Sequence, residues 1–311
     1  MLSAPRLRTF FGMDLPLPSE PLALADESRG VLALSGEEAR GFLQGLVTND
    51  VMKIGPDRAV WAALLTPQGR YLHDFFLVQS PDGALWLECE AERRQDLLRR
   101  LTIYKLRAKV RIADVTDALA VVRVFGAGTP ERLGLAPEPG MARATGGGVA
   151  FIDPREPRLG ARAILPRAEG TMLADRLGVA VGTAEQYQRL RLALGVPEGG
   201  RELEPEKALP MESRFDLLNG IDWQKGCYVG QELTARMRYR ALVKKRLLPV
   251  AIEGPVPEPG TPVLIEGEEA GVLRGASQGY GLALMRLDKL EEAGDRPLTA
   301  GAARILVLSA S

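Results

Sequence analysis

Cysteine and histidine are nearly missing from this sequence: 311 residues carry two cysteines, Cys89 and Cys227, and one histidine, His73. Two thiols so far apart in the chain cannot staple a small fold, which excludes a disulfide scaffold. Three His and Cys side chains cannot supply the four ligands of a structural zinc site. Charge of one sign is also lacking, with 40 basic residues against 40 acidic ones. A surface that clings everywhere to nucleic acid or to an anionic membrane is therefore not expected, although local patches stay open. Aromatic residues make up only 5%. No apolar run approaches the length that spans a bilayer. The first residues, MLSAPRLRTFFGMDLPLP, lack the apolar stretch of a secretory leader and carry Asp14, so a reducing cytoplasmic setting is the expectation.

What remains is the composition of an ordinary globular protein, 46% apolar and 26% charged, of a length that suits two or three domains. Arginine takes 32 of the 40 basic positions, a bias read as coding preference rather than function. RGVLALSG predicts a strand ending at Ser35, and Ser35-Gly-Glu-Glu38 predicts a capping box opening a helix through Phe42, Leu43 and Leu46. Between Arg58 and Glu90 three strands are expected, separated by the turn tripeptides Pro67-Gln-Gly69 and Pro81-Asp-Gly83. A helix with Leu97, Leu98 and Leu101 on one face follows, then the strands KVRIADV and LAVVRVFG. Short strands (VAFID, ARAILP) and helices at 171–177 and 184–194 occupy the middle, and 196–211 has no apolar period. After Lys244 five short β-like runs predict a small barrel or sandwich. The fold class is α+β with mostly antiparallel sheets. The expected division is 1–115, 116–243 and 244–311.

Two motif matches fail on context. Gly275-Ala-Ser277-Gln-Gly279 fits a nucleophile elbow, but a strand follows it where a helix is needed, and His73 lies upstream. Gly126-Ala-Gly128 starts like a dinucleotide fingerprint, yet the third glycine is absent and the strands before it are antiparallel. In YLHDFFLV, alternation places Tyr71, His73 and Phe75 on one face and Leu72, Asp74 and Phe76 on the other. A lone strand histidine is ordinarily a packed residue, whereas Asp74 among apolar neighbours needs a partner or a ligand.

The stretch from Asn219 to Arg238 is unlike the rest. Gly226 removes a side chain beside Cys227 and lets a partner approach the thiol. Lys225 supplies a cation two positions away, and a helix predicted from Gly230 to Arg238 opens just beyond. Both would favour a thiolate. On that helix Glu232 and Arg236 are spaced as an i,i+4 pair. From Lys225 to Arg246 seven basic residues (Lys225, Arg236, Arg238, Arg240, Lys244, Lys245, Arg246) face one acid, Glu232, which suggests an anionic partner carrying carboxylates or phosphates.

KGCYVGQE (Lys225 to Glu232) resembles the signature of the YgfZ family, folate-binding relatives of the glycine-cleavage T-protein that assist iron-sulfur cluster assembly. Further stretches agree in order: FLQGLVTNDV (Phe42 to Val51), LLTPQGRYLHDFFLV (Leu64 to Val78), YKLRAKVRI (Tyr104 to Ile112), LRLALGVPEGG (Leu190 to Gly200) and LPMES (Leu209 to Ser213). The resemblance spans nearly the whole chain and implies a T-protein-like fold of two α+β subdomains with a C-terminal β-barrel. It implies a functional core of Lys225, Cys227, Gln231 and Glu232. It further implies that Asn49, Asp50, Asp74, Tyr104, Arg107 and Arg236, together with Lys225, Gln231 and Glu232, contribute to a site for tetrahydrofolate or a derivative.

Two departures stand out. The T-protein has two adjacent carboxylates where this chain has His73-Asp74, so at most one catalytic acid survives. It also has a pterin-binding glutamate where this chain shows Leu192-Ala193. Both weaken aminomethyl transfer. The expectation is a maturation factor, monomeric, in which Cys227 completes a transient cluster together with the thiols of a carrier or scaffold partner, or reacts with a sulfur-containing intermediate, while reduced folate occupies the pocket. Folate-dependent one-carbon transfer through Asp74, and tRNA modification through Arg236 to Arg246, are the competing readings.

Overall fold

The computed structural model describes residues 15–240 and 242–308. The residues on which the leader expectation rests, up to Asp14, lie outside them. In chain order, β1 (Leu22–Ala25) and β2 (Arg29–Ser35) precede the short helix α1 (Ala39–Gln44). Next come β3 (Val60–Leu65), β4 (Tyr71–Gln79), β5 (Leu85–Glu90), α2 (Arg94–Lys105), β6 (Arg111–Asp114), β7 (Leu119–Phe125) and α3 (Thr129–Leu133). Then β8 (Ala142–Thr145), β9 (Gly148–Ile152), β10 (Ala161–Pro166), α4 (Arg167–Thr171), α5 (Leu173–Leu177), β11 (Ala180–Val181), α6 (Ala184–Ala193), α7 (Gly199–Glu202) and α8 (Gln231–Tyr239). The last part holds β12 (Lys245–Glu253), β13 (Pro262–Ile265), β14 (Glu268–Ser277), β15 (Tyr280–Arg286), α9 (Leu287–Ala293), β16 (Leu298–Ala300) and β17 (Ala303–Val307).

Two compact units share the chain. The larger comprises Leu17–Ala184 and Phe215–Leu233, the other Glu185–Arg214 and the described residues from Thr234 onward. In the larger unit a five-stranded sheet runs β3-β4-β5-β2-β6 and a six-stranded sheet runs β11-β1-β7-β10-β9-β8. Pairing is antiparallel except between β1 and β11. The predicted turns form as their glycines require: Gly69 and Gly83 sit at φ 77° and 88°, each donating its N–H to the residue three back, Thr66 and Ser80. One face of the five-stranded sheet, through Leu32, Leu64, Phe75, Leu87 and Cys89, packs on Leu97 and Leu101 of α2.

The other face meets the six-stranded sheet, where the Phe76 and Phe151 rings lie 5.9 Å apart. That interior is polar as well as aromatic. Glu88 pairs with Arg29 at 3.0 Å and with Arg162, and Asp153 pairs with Arg155 at 2.8 Å, all of them buried.

Three expectations are corrected. Alternation along β4 breaks at a bulge: Leu64 pairs with His73 but Leu65 with Tyr71. The extra residue turns Tyr71 to the side of Asp74, and Leu72 joins Phe75 in the core against α2. The capping box does not form, because Glu38 caps with no side-chain bond and its carboxylate accepts the Lys109 N–H instead.

The C-terminal β region is a closed barrel, β12-β15-β14-β13-β16-β17, of six strands rather than five, with α9 between β15 and β16. Val250, Val263, Leu273, Met285 and Ile305 fill it. Ser277 and Tyr280 pair across a two-residue turn in which Gln278 and Gly279 have φ 42° and 84°, so the elbow-like motif is a hairpin.

Candidate functional site

The 219–230 loop lies in the larger unit, and hydrogen bonds stitch it to the segment after α1. Thr48 Oγ1 donates to Gly220 O at 2.6 Å, and the Asp222 N–H donates to Thr48 O at 3.0 Å. Asn49 spends both amide hydrogens, on Trp61 O and Asn219 O at 2.7 Å each, and its Oδ1 accepts the Asp50 N–H. Asp50 takes Gln44 Nε2 at 2.9 Å and the Met52 N–H at 3.0 Å, which makes it the cap of the turn at Val51–Lys53. Both residues serve the local fold.

Lys225 is buried, and its ammonium donates to three backbone carbonyls: Gln44 at 2.8 Å, Val47, and Asn49 at 3.0 Å. An ammonium has three hydrogens, and all are used. Its charge therefore goes into this carbonyl cage, where each bond contributes about 1.5–3 kcal/mol. Burial lowers the Lys225 pKa to about 8, against the pull of Asp50 and Asp222. The Tyr228 ring, also buried, lies 5.0 Å from the Lys225 ammonium.

Between these two buried residues Gly226 and Cys227 are exposed. The glycines of the loop differ in what demands them. At Gly220 a Cβ would stand 2.6 and 2.7 Å from the Phe215 and Trp61 rings. At Gly230, φ is 83° and a Cβ would stand 2.4 Å from Thr66 O. At Gly226 the φ is not positive, and a Cβ would meet no described atom within 4 Å. Neither packing nor backbone conformation requires a glycine beside the thiol. Gln231 opens α8 and accepts the Tyr228 N–H through Oε1 at 3.4 Å.

Asp74 is buried on the aromatic face. Trp61 Nε1 donates to its Oδ2 at 2.9 Å and Tyr71 to its Oδ1 at 2.8 Å. Burial, and then the Asp74 charge, raise the Tyr71 pKa well above its ordinary value, so the phenol stays a donor. The Trp61 ring stacks on Phe215 at 4.2 Å, with the Arg155 guanidinium 5.5 Å away. The expected acid is thus the hub of a packed aromatic cluster. His73 points to the opposite side, where Nε2 meets Asp96 Oδ2 at 2.8 Å, and burial lowers its pKa to about 4. Cys89 lies in the apolar core with Leu85 and Leu87, as alternation predicts, and burial pushes its thiol up to about 12.

Tyr104 is half-buried against the same core, and Arg107 is exposed after α2. Glu232 and Arg236 are exposed on α8, with Arg236 in the other unit. In that unit Leu192 is buried, and its neighbour Arg191 is fully buried with bonds to both Glu202 oxygens at 2.7 and 2.9 Å. The ion network of Arg29, Glu88, Asp153, Arg155 and Arg162 escapes sequence reasoning. Its one signal is a charge inside an otherwise apolar strand, as Arg162 in ARAIL or Glu88 in LWLEC.

Of the side chains the resemblance assigns to folate, Asn49, Asp74 and Lys225 bond to protein partners. Tyr104 and Arg107 keep polar groups that no described residue engages. Asn49, Asp74 and Lys225, three of the nine assigned side chains, thus serve the fold, which weakens the case for a folate ligand held by this set.

Residues 23–134 match the GCVT N-terminal domain, and residues 244–310 match the CAF17 C-terminal beta-barrel domain. The iron-sulfur cluster assembly factor IBA57, mitochondrial, of Mus musculus is 35% identical over 284 residues, covering 85% of this chain and 77% of the relative. The Homo sapiens protein of the same name is 35% identical over 282 residues with the same coverage. Among solved structures, the glycine cleavage system aminomethyltransferase T from Bartonella henselae superposes with TM-score 0.73 at 14% identity, over 94% of this chain and 86% of that one. The fold is that of the GCVT-like aminomethyltransferases with a closed six-stranded barrel at its C-terminal end. These relatives also correct the cytoplasmic expectation: they are named as mitochondrial proteins, and composition alone does not distinguish two reducing compartments.

Proposed function

The chain belongs to the CAF17/IBA57 family, and from that premise we propose that it serves iron-sulfur cluster assembly, with Cys227 lending its thiol to a cluster that a partner's thiols also hold. The observation that carries this reading is the exposed Cys227, flanked by a glycine that the fold does not need and held between two buried residues.

A cluster asks for about four ligands. Cys89 is withdrawn into the core, and the described residues contain no group of three or more His, Cys, Asp or Glu able to hold a metal. The remaining ligands come from the carrier. Folate is left out of this reading because the Asn49 amide and Lys225 ammonium hydrogens are all donated to backbone carbonyls, and Asp74 accepts from Trp61 and Tyr71. One-carbon transfer through Asp74 loses support because the carboxylate is buried, with Trp61 and Tyr71 each donating to one of its oxygens.

The test is maturation of an apo cluster enzyme in a reconstituted assay with a cluster carrier. Cys227→Ser is expected to abolish the stimulation given by the wild-type protein while circular dichroism stays unchanged. Full stimulation by the variant would remove the thiol from the mechanism.

A further inference from the structure

Lys225, next to the exposed tip, is the residue whose chemistry the sequence most invites one to misassign. A lysine two positions from a reactive cysteine reads as a cation that stabilises thiolate. The geometry points to a different task. Its ammonium enters a cage of the Gln44, Val47 and Asn49 carbonyls, and three hydrogens meet three acceptors. The same loop is bound to the same segment on either side of the cage, by the Asp222 N–H to Thr48 O at 3.0 Å and the Val229 N–H to Gly45 O at 3.2 Å. Tyr228 is the second buried anchor, and between the two anchors Gly226 and Cys227 stand clear.

We infer that Lys225 is a positioning residue: with Tyr228 it fastens the Gly226-Cys227 tip to residues 44–49 and presents the thiol at a fixed place, without taking part in ionising it. This rests on the reading of Cys227 as the working thiol. Its consequence is local order, which is measurable whether or not cluster chemistry follows. An ammonium suits the cage because it is compact and its donors diverge, whereas the planar fork of a guanidinium cannot aim at three carbonyls around one point. Arginine therefore keeps the charge and loses the anchor.

The experiment compares full-length wild type, Lys225→Met and Lys225→Arg. Amide hydrogen exchange at Val229 is expected to be at least about tenfold faster in both variants, as one charged hydrogen bond's worth of protection is lost, with barrel amides unchanged. The pH profile of Cys227 alkylation is expected to superimpose across all three proteins, while the rate of cluster transfer falls in both variants. Restoration of the wild-type behaviour by arginine, or a profile displaced to higher pH in Lys225→Met alone, would assign the lysine a charge role and overturn the inference. So would unchanged Val229 protection in Lys225→Met.

A measurement on the wild type guards against variants that do not fold. Nitrogen-15 spectra should show Lys225 ammonium hydrogens protected from solvent exchange, unlike those of exposed lysines. Ammonium hydrogens that exchange like those of Lys244 would overturn the inference by themselves.

Discussion

Cys89 and Cys227 carry the same functional group in opposite settings. Strand β5 buries Cys89 at 2% exposure among Leu85, Leu87 and the α2 leucines, and its thiol is pushed up to about 12. The 219–230 loop buries the residues on either side of the Gly226-Cys227 pair and leaves that pair outside. Neither setting is a property of the cysteine. A regular strand withdraws its inward residues in alternation, and a loop tied down by side-chain and backbone bonds exposes whatever stands between its anchors.

The largest expected difference is chemical. At pH 8 a thiol pushed up to about 12 is on the order of 10³-fold less ionised than an ordinary one near 8.5, and burial slows its attack further. Timed alkylation of the native protein read by mass spectrometry should modify Cys227 and leave Cys89 intact, with both labelled in denaturant. Comparable labelling in the native state would break the contrast.

A second prediction concerns β4, which shares the buried surroundings of Cys89. His73 is neutral when folded, with its pKa lowered to about 4 from 6.5 by burial. Between those values the unfolded chain binds the proton and the folded one does not, so stability is full above pH 6.5 and falls as pH drops towards 4. The slope is about 1.4 kcal/mol per pH unit at its steepest. Urea melts from pH 7 to 4.5 should show it, and His73→Gln should flatten it. Labelling of the Cys227 tip should follow no such dependence on His73.

The smallest effects compare two glycines of the loop. Gly220→Ala presses a methyl group into the Trp61 and Phe215 rings and is expected to cost about 1–3 kcal/mol. Gly226→Ala is expected to stay within about 0.5 kcal/mol, because its Cβ finds open space. Equal costs in denaturant melts would mean that the tip is packed after all.

Sequence reasoning reached the strands that a turn tripeptide brackets, β3 to β5, because Gly69 and Gly83 sit where positive φ is required. It missed the bulge at Leu72, since a single extra residue leaves no mark on an alternating apolar run in which both faces are buried. It missed β16, as the three residues of Leu298–Ala300 are too few to show a period. Cys227 stood out in the sequence through its neighbours, and it is the exposed one of the two cysteines. The task of Lys225 was not, for its partners lie 176 to 181 residues away in the chain and are backbone carbonyls, which carry no residue identity. The Arg162 to Glu88 pair, 74 residues apart, was hidden in the same way.

The most direct test of the central claim is an anaerobic titration of the purified protein with a cluster-loaded carrier, followed by visible absorption. A cluster shared through Cys227 predicts a saturable change in the sulfur-to-iron bands with wild type and with Cys89→Ser, and none with Cys227→Ser. An identical change with Cys227→Ser would contradict it.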